Sequence, residues 1–220
     1  ARAGERVLIS PKPLDGYEYI EGTISAMGPN GESIALSENA SGGWEFTMPS
    51  GSVTLYAEFS ELQTIGHVTI SIEKFTLGQG YMIEPVQVEL RQNDSVAKII
   101  TRLLDDYGMT YTLGPSASIE SGFYLATITD GSDPNEKINP QQYIVDAINS
   151  DGGELEYTRG GESLGEFDYA QKSGWMYSVN GAFPNYGASD FTTTSGTNPL
   201  KDGDVIRWQF TLWGLGADIG

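Results

Sequence analysis

The hydrophobic positions change period along the chain. Through residues 5–59 they alternate and never recur at helical spacing, which predicts strands at 6–10, 33–36, 44–48 and 53–59. Turn signals separate these runs: Asp15-Gly16, Pro29-Asn30-Gly31, Ser41-Gly42-Gly43 and Pro49-Ser50-Gly51. Val53, Leu55, Ala57 and Phe59 fall at period two and are expected to share one sheet face. Residues 1–60 therefore read as a small all-β module with a modest core. The polar stretch 61–66 reads as a linker, and residues 67–220 as a second domain.

The second part opens with strands. Residues 67–75 alternate cleanly and 86–90 form another run, with Gly78-Gln79-Gly80 between them, as in an antiparallel hairpin with a long loop. The period then switches. Val96, Ile99, Ile100, Leu103, Leu104 and Tyr107 make one apolar face of a helix over 94–107, with Asp94 as N-cap and Gly108 as terminator. A further strand is expected at 122–129. A second helix is expected at 139–149, with Asn139 as N-cap, Pro140 in the first turn, and Tyr143, Ile144, Ala147 and Ile148 on its apolar face. Gly152-Gly153 ends it. Residues 154–172 are polar and glycine-rich, with a short strand near 155–158. Two aromatic-rich strands near 173–181 and 200–213 complete the domain. Trp175, Tyr177 and Val179 share the face expected to be core; Trp208, Phe210 and Leu212 share a face opposite Trp213. A hairpin, a covering helix and returning strands make an α+β, β-grasp-like domain with two helices, preceded by the all-β module.

Composition narrows the function classes. The formal net charge is -18, and residues 1–60 and 61–220 are both acidic. Phosphate contacts need clustered Lys and Arg, so nucleic-acid binding and electrostatic docking on anionic lipid are not expected. With no cysteine, disulfides and thiolate metal sites are excluded. No apolar run approaches the ~18 residues of a membrane span. No signal-peptide pattern is present. The chain opens on Ala1-Arg2-Ala3-Gly4 without an initiator Met and reads as a fragment or processed product, so missing targeting signals carry no information.

Catalytic sets are sparse. His67 is the single histidine, at the head of a strand, so histidine triads and multi-histidine zinc sites lack parts. No GxSxG elbow is present. The carboxylate pairs Asp105-Asp106, Glu154/Glu156 and Asp202/Asp204 suit solvated or turn-forming roles better than a glycosidase, and Asp202-Gly203 reads as the turn into the last strand. Asp130, Asp133, Asn135 and Glu136 gather oxygen ligands in one acidic loop, either an ordinary loop or a calcium site; the spacing is not that of an EF-hand. The aromatics are denser. Trp175, Tyr177, Phe183, Tyr186, Trp208 and Trp213 crowd the last part of the chain, with the polar run 192–198 among them. Phe183 and Tyr186 flank Pro184-Asn185 just after an Asn180-Gly181 turn signal. They are expected either to form a ligand platform for a sugar or flat cofactor, with Trp213, Asn180 and Asn185, or to staple the loop down.

Two resemblances add to this reading. Ala3-Gly4-Glu5, Pro13-Leu14-Asp15-Gly16-Tyr17-Glu18 and the run from Trp44 through Phe46-Thr47-Met48-Pro49 to Ala57-Glu58-Phe59 resemble the β-repeats of bacterial surface proteins, which act as spacers and adhesive stalks. Those repeats usually begin one strand earlier, so the first strand is expected to be missing. Ser173-Gly174-Trp175-Met176-Tyr177-Ser178-Val179-Asn180-Gly181, Leu200-Lys201-Asp202-Gly203-Asp204-Val205-Ile206-Arg207-Trp208 and the Gly214–Gly220 end resemble the bacterial family related to the transcobalamin C-terminal domain, over roughly residues 67–220. That resemblance implies the β-grasp fold and makes a cobalamin-like cofactor one candidate ligand, beside a glycan. The combined expectation is a non-catalytic ligand-binding or adhesive module, extracellular or attached to a bacterial cell surface, with other domains of a longer surface protein as neighbours. The alternatives are a structural stalk without a small ligand and, less favoured, an enzyme using carboxylates.

Overall fold

The computed structural model describes residues 1–14, 16–39, 43–196 and 199–219. The turns expected at Asp15-Gly16 and Ser41-Gly42-Gly43 lie partly outside the described residues, as do the end of the polar run, Thr197 and Asn198, and Gly220. The chain divides into two compact units, Ala1–Gln63 and Thr64–Gly220.

The first unit consists of short strands: β1 (Arg6–Ile9), β2 (Tyr17–Tyr19), β3 (Ser25–Met27), β4 (Ser33–Ile34), β5 (Ser37–Glu38), β6 (Trp44–Thr47), β7 (Thr54–Tyr56) and β8 (Phe59–Glu61). They form sheets ordered β1-β6-β5 and β4-β3-β7 and the pair β2-β8. Ala26 and Phe46 are its buried hydrophobic residues among those described, so the core is thin. The run at 53–59 is not one strand. β7 pairs with β3 and β8 with β2, and the change of partner between Tyr56 and Phe59 breaks the alternation. Leu55 and Phe59 consequently lie in different sheets instead of sharing one face, and both are exposed. The connection at 61–66 is also shorter than expected, because Glu61 ends β8 and Thr64 opens the next strand.

The second unit contains β9 (Thr64–Glu73), β10 (Tyr81–Arg91), α1 (Val96–Asp106), β11 (Thr110–Leu113), β12 (Leu125–Thr129), α2 (Gln142–Ser150), β13 (Ser163–Gly165), β14 (Gly174–Val179) and β15 (Val205–Thr211). It is α+β, with one sheet ordered β10-β9-β15-β14 and a second ordered β11-β12-β13. β9 and β10 form the expected antiparallel hairpin. Its connection holds a 3-10 turn, Phe75–Leu77, closed by Gly78 at φ +75°; a Cβ there would stand 2.5 Å from the Asn139 carbonyl oxygen, so only glycine fits. β15 runs parallel to β9 and antiparallel to β14, so the last strand sits in the middle of the sheet.

Val96, Ile99, Ile100, Leu103 and Leu104 of α1 are buried with Val68, Ile70 and Ile72 of β9, Ile128 of β12, and Ile206, Trp208 and Phe210 of β15. Each fully buried aliphatic contributes about 1.5–3 kcal/mol. Several local expectations are corrected. Ser95, not Asp94, caps α1: its backbone is extended and its hydroxyl accepts the Lys98 N–H. Asp94 instead accepts the Arg91 N–H at 2.8 Å and pairs with Arg102 at 2.8 Å. Tyr107 follows the last helical turn and is exposed. α2 begins after Gln141, which makes no side-chain cap, while the Asn139 N–H is bound to the Leu77 carbonyl. Ile144 and Ile148 of α2 are buried, but Tyr143 is exposed. The short strand is β13, not 155–158: Glu156 makes a single backbone bond to Tyr169, whereas β13 finds a ladder on β12. The strand expected from 122 begins at Leu125. Among the described residues no helix is long and apolar enough to cross a membrane.

Candidate functional site

The site is built at the end of β14. Trp175 faces the core, its indole N–H donating to the Leu164 carbonyl at 3.0 Å and its ring edge-on to Phe210. Two residues on, Tyr177 stacks against Trp208, with centroids 5.3 Å apart and planes at 27°. Val179 then leads into a tight reversal. Asn180 and Gly181 take positive φ, 52° and 76°, and the Ala182 N–H bonds back to Val179, as an Asn-Gly pair suits. The Asn180 side chain fastens this turn to β15: its amide N–H donates to Asp204 at 2.8 Å, and its oxygen accepts the Val205 N–H at 2.9 Å.

The chain that follows is tied down at its far end too. The carbonyls of Ala188 and Phe191 accept the N–H groups of Ala97 and Val96 in the first turn of α1, which have no partner inside the helix. Midway, the Tyr177 hydroxyl donates to the Tyr186 carbonyl at 2.8 Å, and the Tyr186 ring meets Phe191 edge-on at 5.2 Å. Between these anchors, Phe183, Pro184, Asn185 and Tyr186 line a cleft of roughly 490 Å³ together with Tyr124 beside β12 and Tyr177 and Trp208 from the sheet. Tyr124 is 44% exposed, Phe183 38% and Tyr186 43%, so three rings keep a face open to solvent while their backbone is fixed.

The cleft is uncharged. No Lys, Arg, His, Asp or Glu is among its lining residues, although the whole chain carries -18. Burial pushes the Tyr177 hydroxyl up, with the nearby Tyr186 and Asp190 adding to the shift. Burial, then a hydrogen bond to Glu166 and its charge, pushes Tyr124 up to about 12.

Of the five residues expected to form a ligand surface, Phe183, Asn185 and Tyr186 come together. Trp213 does not join them: it lies beyond β15, its backbone N–H held by Asp218, and lines a small depression with Ile148, Asp151 and Lys172. Asn180 is not among the lining residues either, because Asp204 and Val205 occupy its amide. Tyr124 was missed. Its signal was available in the alternation at 123–125, where Phe123 and Leu125 are buried and Tyr124 points to the other side.

The remaining chemistry lies elsewhere. His67 is exposed, and its backbone N–H donates to Asp202 at 2.7 Å. Asp204 accepts the Lys201 N–H across the turn into β15. In the acidic loop, the Asp130 side chain is buried between Lys74 at 3.2 Å and Arg159 at 3.7 Å. Burial pushes its carboxyl up, but hydrogen bonds from Ser132 and the Lys74 ammonium outweigh this and hold it below its ordinary value. Asp133 accepts the Asn135 N–H within the loop. Among the described residues, no three His, Cys, Asp or Glu side chains gather as a metal site.

No curated protein and no solved structure matches this chain. Residues 132–211 match a protein family described as "Domain of unknown function (DUF4430)", a span that includes α2, β13, β14, the cleft-lining segment and β15, and leaves Tyr124 outside it.

Proposed function

We propose that the second unit is a non-catalytic ligand-binding module of a bacterial cell-surface or secreted protein, and that its ligand rests on the aromatic cleft. The observation that carries this is a set of three part-exposed rings: Phe183 and Tyr186 on a segment hydrogen-bonded at both ends, and Tyr124, beside β12, whose carbonyl accepts the Gly114 N–H. Ordered rings gain stacking energy with little loss of side-chain freedom on binding. The volume falls within the range of small-molecule sites. A ring-bearing ligand, either a glycan or a cobalamin-like cofactor, suits such a surface.

The fold is read as β-grasp-like and related to the transcobalamin C-terminal domain. Support comes from the β9–β10 hairpin, the apolar face of α1 in the core and the parallel return of β15. The first unit is read as a surface-protein β-repeat acting as a spacer. Calorimetric titration of the chain with cobinamide, cobalamin and a glycan panel tests the binding function. Heat of binding from one class supports it; silence from every ligand overturns it. One observation favours a second reading, a structural segment without ligand: the bonds from Tyr177 to Tyr186 and from Tyr186 to Phe191 would also serve to staple the loop.

A further inference from the structure

We infer that the cleft selects uncharged saccharides, with Tyr124 as a third stacking ring and Glu166 and Asp190 as carboxylates that turn acidic sugars away. This rests on the reading of the cleft as the ligand site and names its ligand class.

The electrostatics point one way. An anionic ligand needs a cation or a cluster of N–H donors to replace its water, and no Lys, Arg or His lines the cleft. Two exposed carboxylates stand close to it instead: Glu166 acts on the Tyr124 hydroxyl, and the Asp190 carboxylate lies beside Gly187 of the lining, 3.5 Å from where a Cβ there would stand. A uronic or sialic acid placed on the rings would meet like charge with nothing to offset it.

The same groups suit a neutral sugar. A pyranose has an apolar C–H face and a rim of hydroxyls. Phe183, Tyr186 and Tyr124 offer aromatic faces. The protonated Tyr124 hydroxyl and the Asn185 amide, both on lining residues, supply donors and acceptors to a hydroxyl rim. A carboxylate accepting from a sugar hydroxyl makes a charge-assisted bond, so Glu166 has a use toward neutral sugars as well as against acidic ones.

The test is titration of the 220-residue chain with neutral oligosaccharides (β-glucan, mannan and galactan fragments), with oligogalacturonate, with cobinamide and with a proline-rich decapeptide. Calorimetry is read alongside chemical shifts of the Phe183 and Tyr186 amides. Binding of a neutral oligosaccharide that moves both amides is expected, with oligogalacturonate at least about tenfold weaker. Tyr124→Ala should weaken neutral binding about tenfold, and Tyr124→Phe, which keeps the ring and the fold, by less. Glu166→Gln with Asp190→Asn should narrow the gap between neutral and acidic ligands. Preference for oligogalacturonate, or binding of only the decapeptide or cobinamide at these amides, overturns the saccharide class and leaves the cleft as the binding site. Amides unmoved by every probe overturn the cleft itself.

Discussion

Ser95 and Asp94 are adjacent residues of nearly equal capping ability, and only the folded backbone assigns their roles. Ser95 caps α1, so Ser95→Ala should cost about 0.5–2 kcal/mol in urea unfolding. Asp94 holds Arg102 and the Arg91 N–H, so Asp94→Ala leaves a part-buried guanidinium without this carboxylate and should cost more than the loss of the cap. Residue type alone left a one-residue ambiguity there, whereas the buried face of α1 was legible because five aliphatics repeat at helical spacing. Leu103→Ala in that face should cost about 2–5 kcal/mol through the cavity it opens, and an unchanged urea midpoint would contradict its burial. Two carboxyls give opposite pH signatures. The folded value of Asp130 is depressed, so its stabilisation is present above the unfolded value and is lost as pH falls through the folded one. Burial raises the folded value of Asp168, so its contribution is present below the unfolded value and is lost as pH rises through the folded one. Asp168→Asn should therefore raise the urea midpoint at pH 7, with the gain shrinking toward pH 3; a lower midpoint at pH 7 would contradict this.

Among the elements, those of about six residues or more with a clean period could be read in advance: the β9–β10 hairpin, α1, and the strands β14 and β15. β2, β3, β5, β8 and β13 are two or three residues long, and no period can be recognised over that span. Their pairing depends on which partner is brought near. The parallel seat of β15 beside β9 was likewise not legible, since pairing order is set by the path of the intervening chain rather than by local pattern. The turn at Asn180 shows how one element positions another. Its side chain ties the end of β14 to the start of β15, while the aromatic stretch is held separately by the Tyr177 hydroxyl and by the first turn of α1. Asn180→Ala removes both bonds and places alanine at φ 52°, which should cost about 1–3 kcal/mol. Asn180→Gly, which keeps the backbone conformation, should cost less. In either variant the remaining folded fraction should bind ligand normally, because Asn180 does not line the cleft. Selective loss of binding without loss of stability would return Asn180 to the ligand surface.

At the scale of the whole molecule, the second unit carries the large shared core and the first has only Ala26 and Phe46 buried among its described hydrophobic residues. Residues 64–220 produced alone should therefore fold, giving a cooperative thermal transition and near-ultraviolet dichroism from their tryptophans; an unfolded product would contradict this. The site was legible only in part, for a physical reason. Phe183, Asn185 and Tyr186 lie within one short stretch and announce themselves beside Pro184, but Tyr124 and Trp208 reach the same cleft from segments far apart in sequence, which only the fold brings together. Trp213 is near Trp208 in sequence yet lies in another depression, beyond the end of β15. The central claim is that the rings of the cleft bind and do not merely staple the loop. Its most direct measurement is calorimetric titration of the Phe183→Ala, Tyr186→Ala double variant with the ligand that the parent chain binds, alongside its thermal unfolding. The account predicts that binding is lost while the melting temperature stays within a few degrees of the parent. Unaltered binding, or unfolding of the double variant with a parent that binds no ligand, would contradict it.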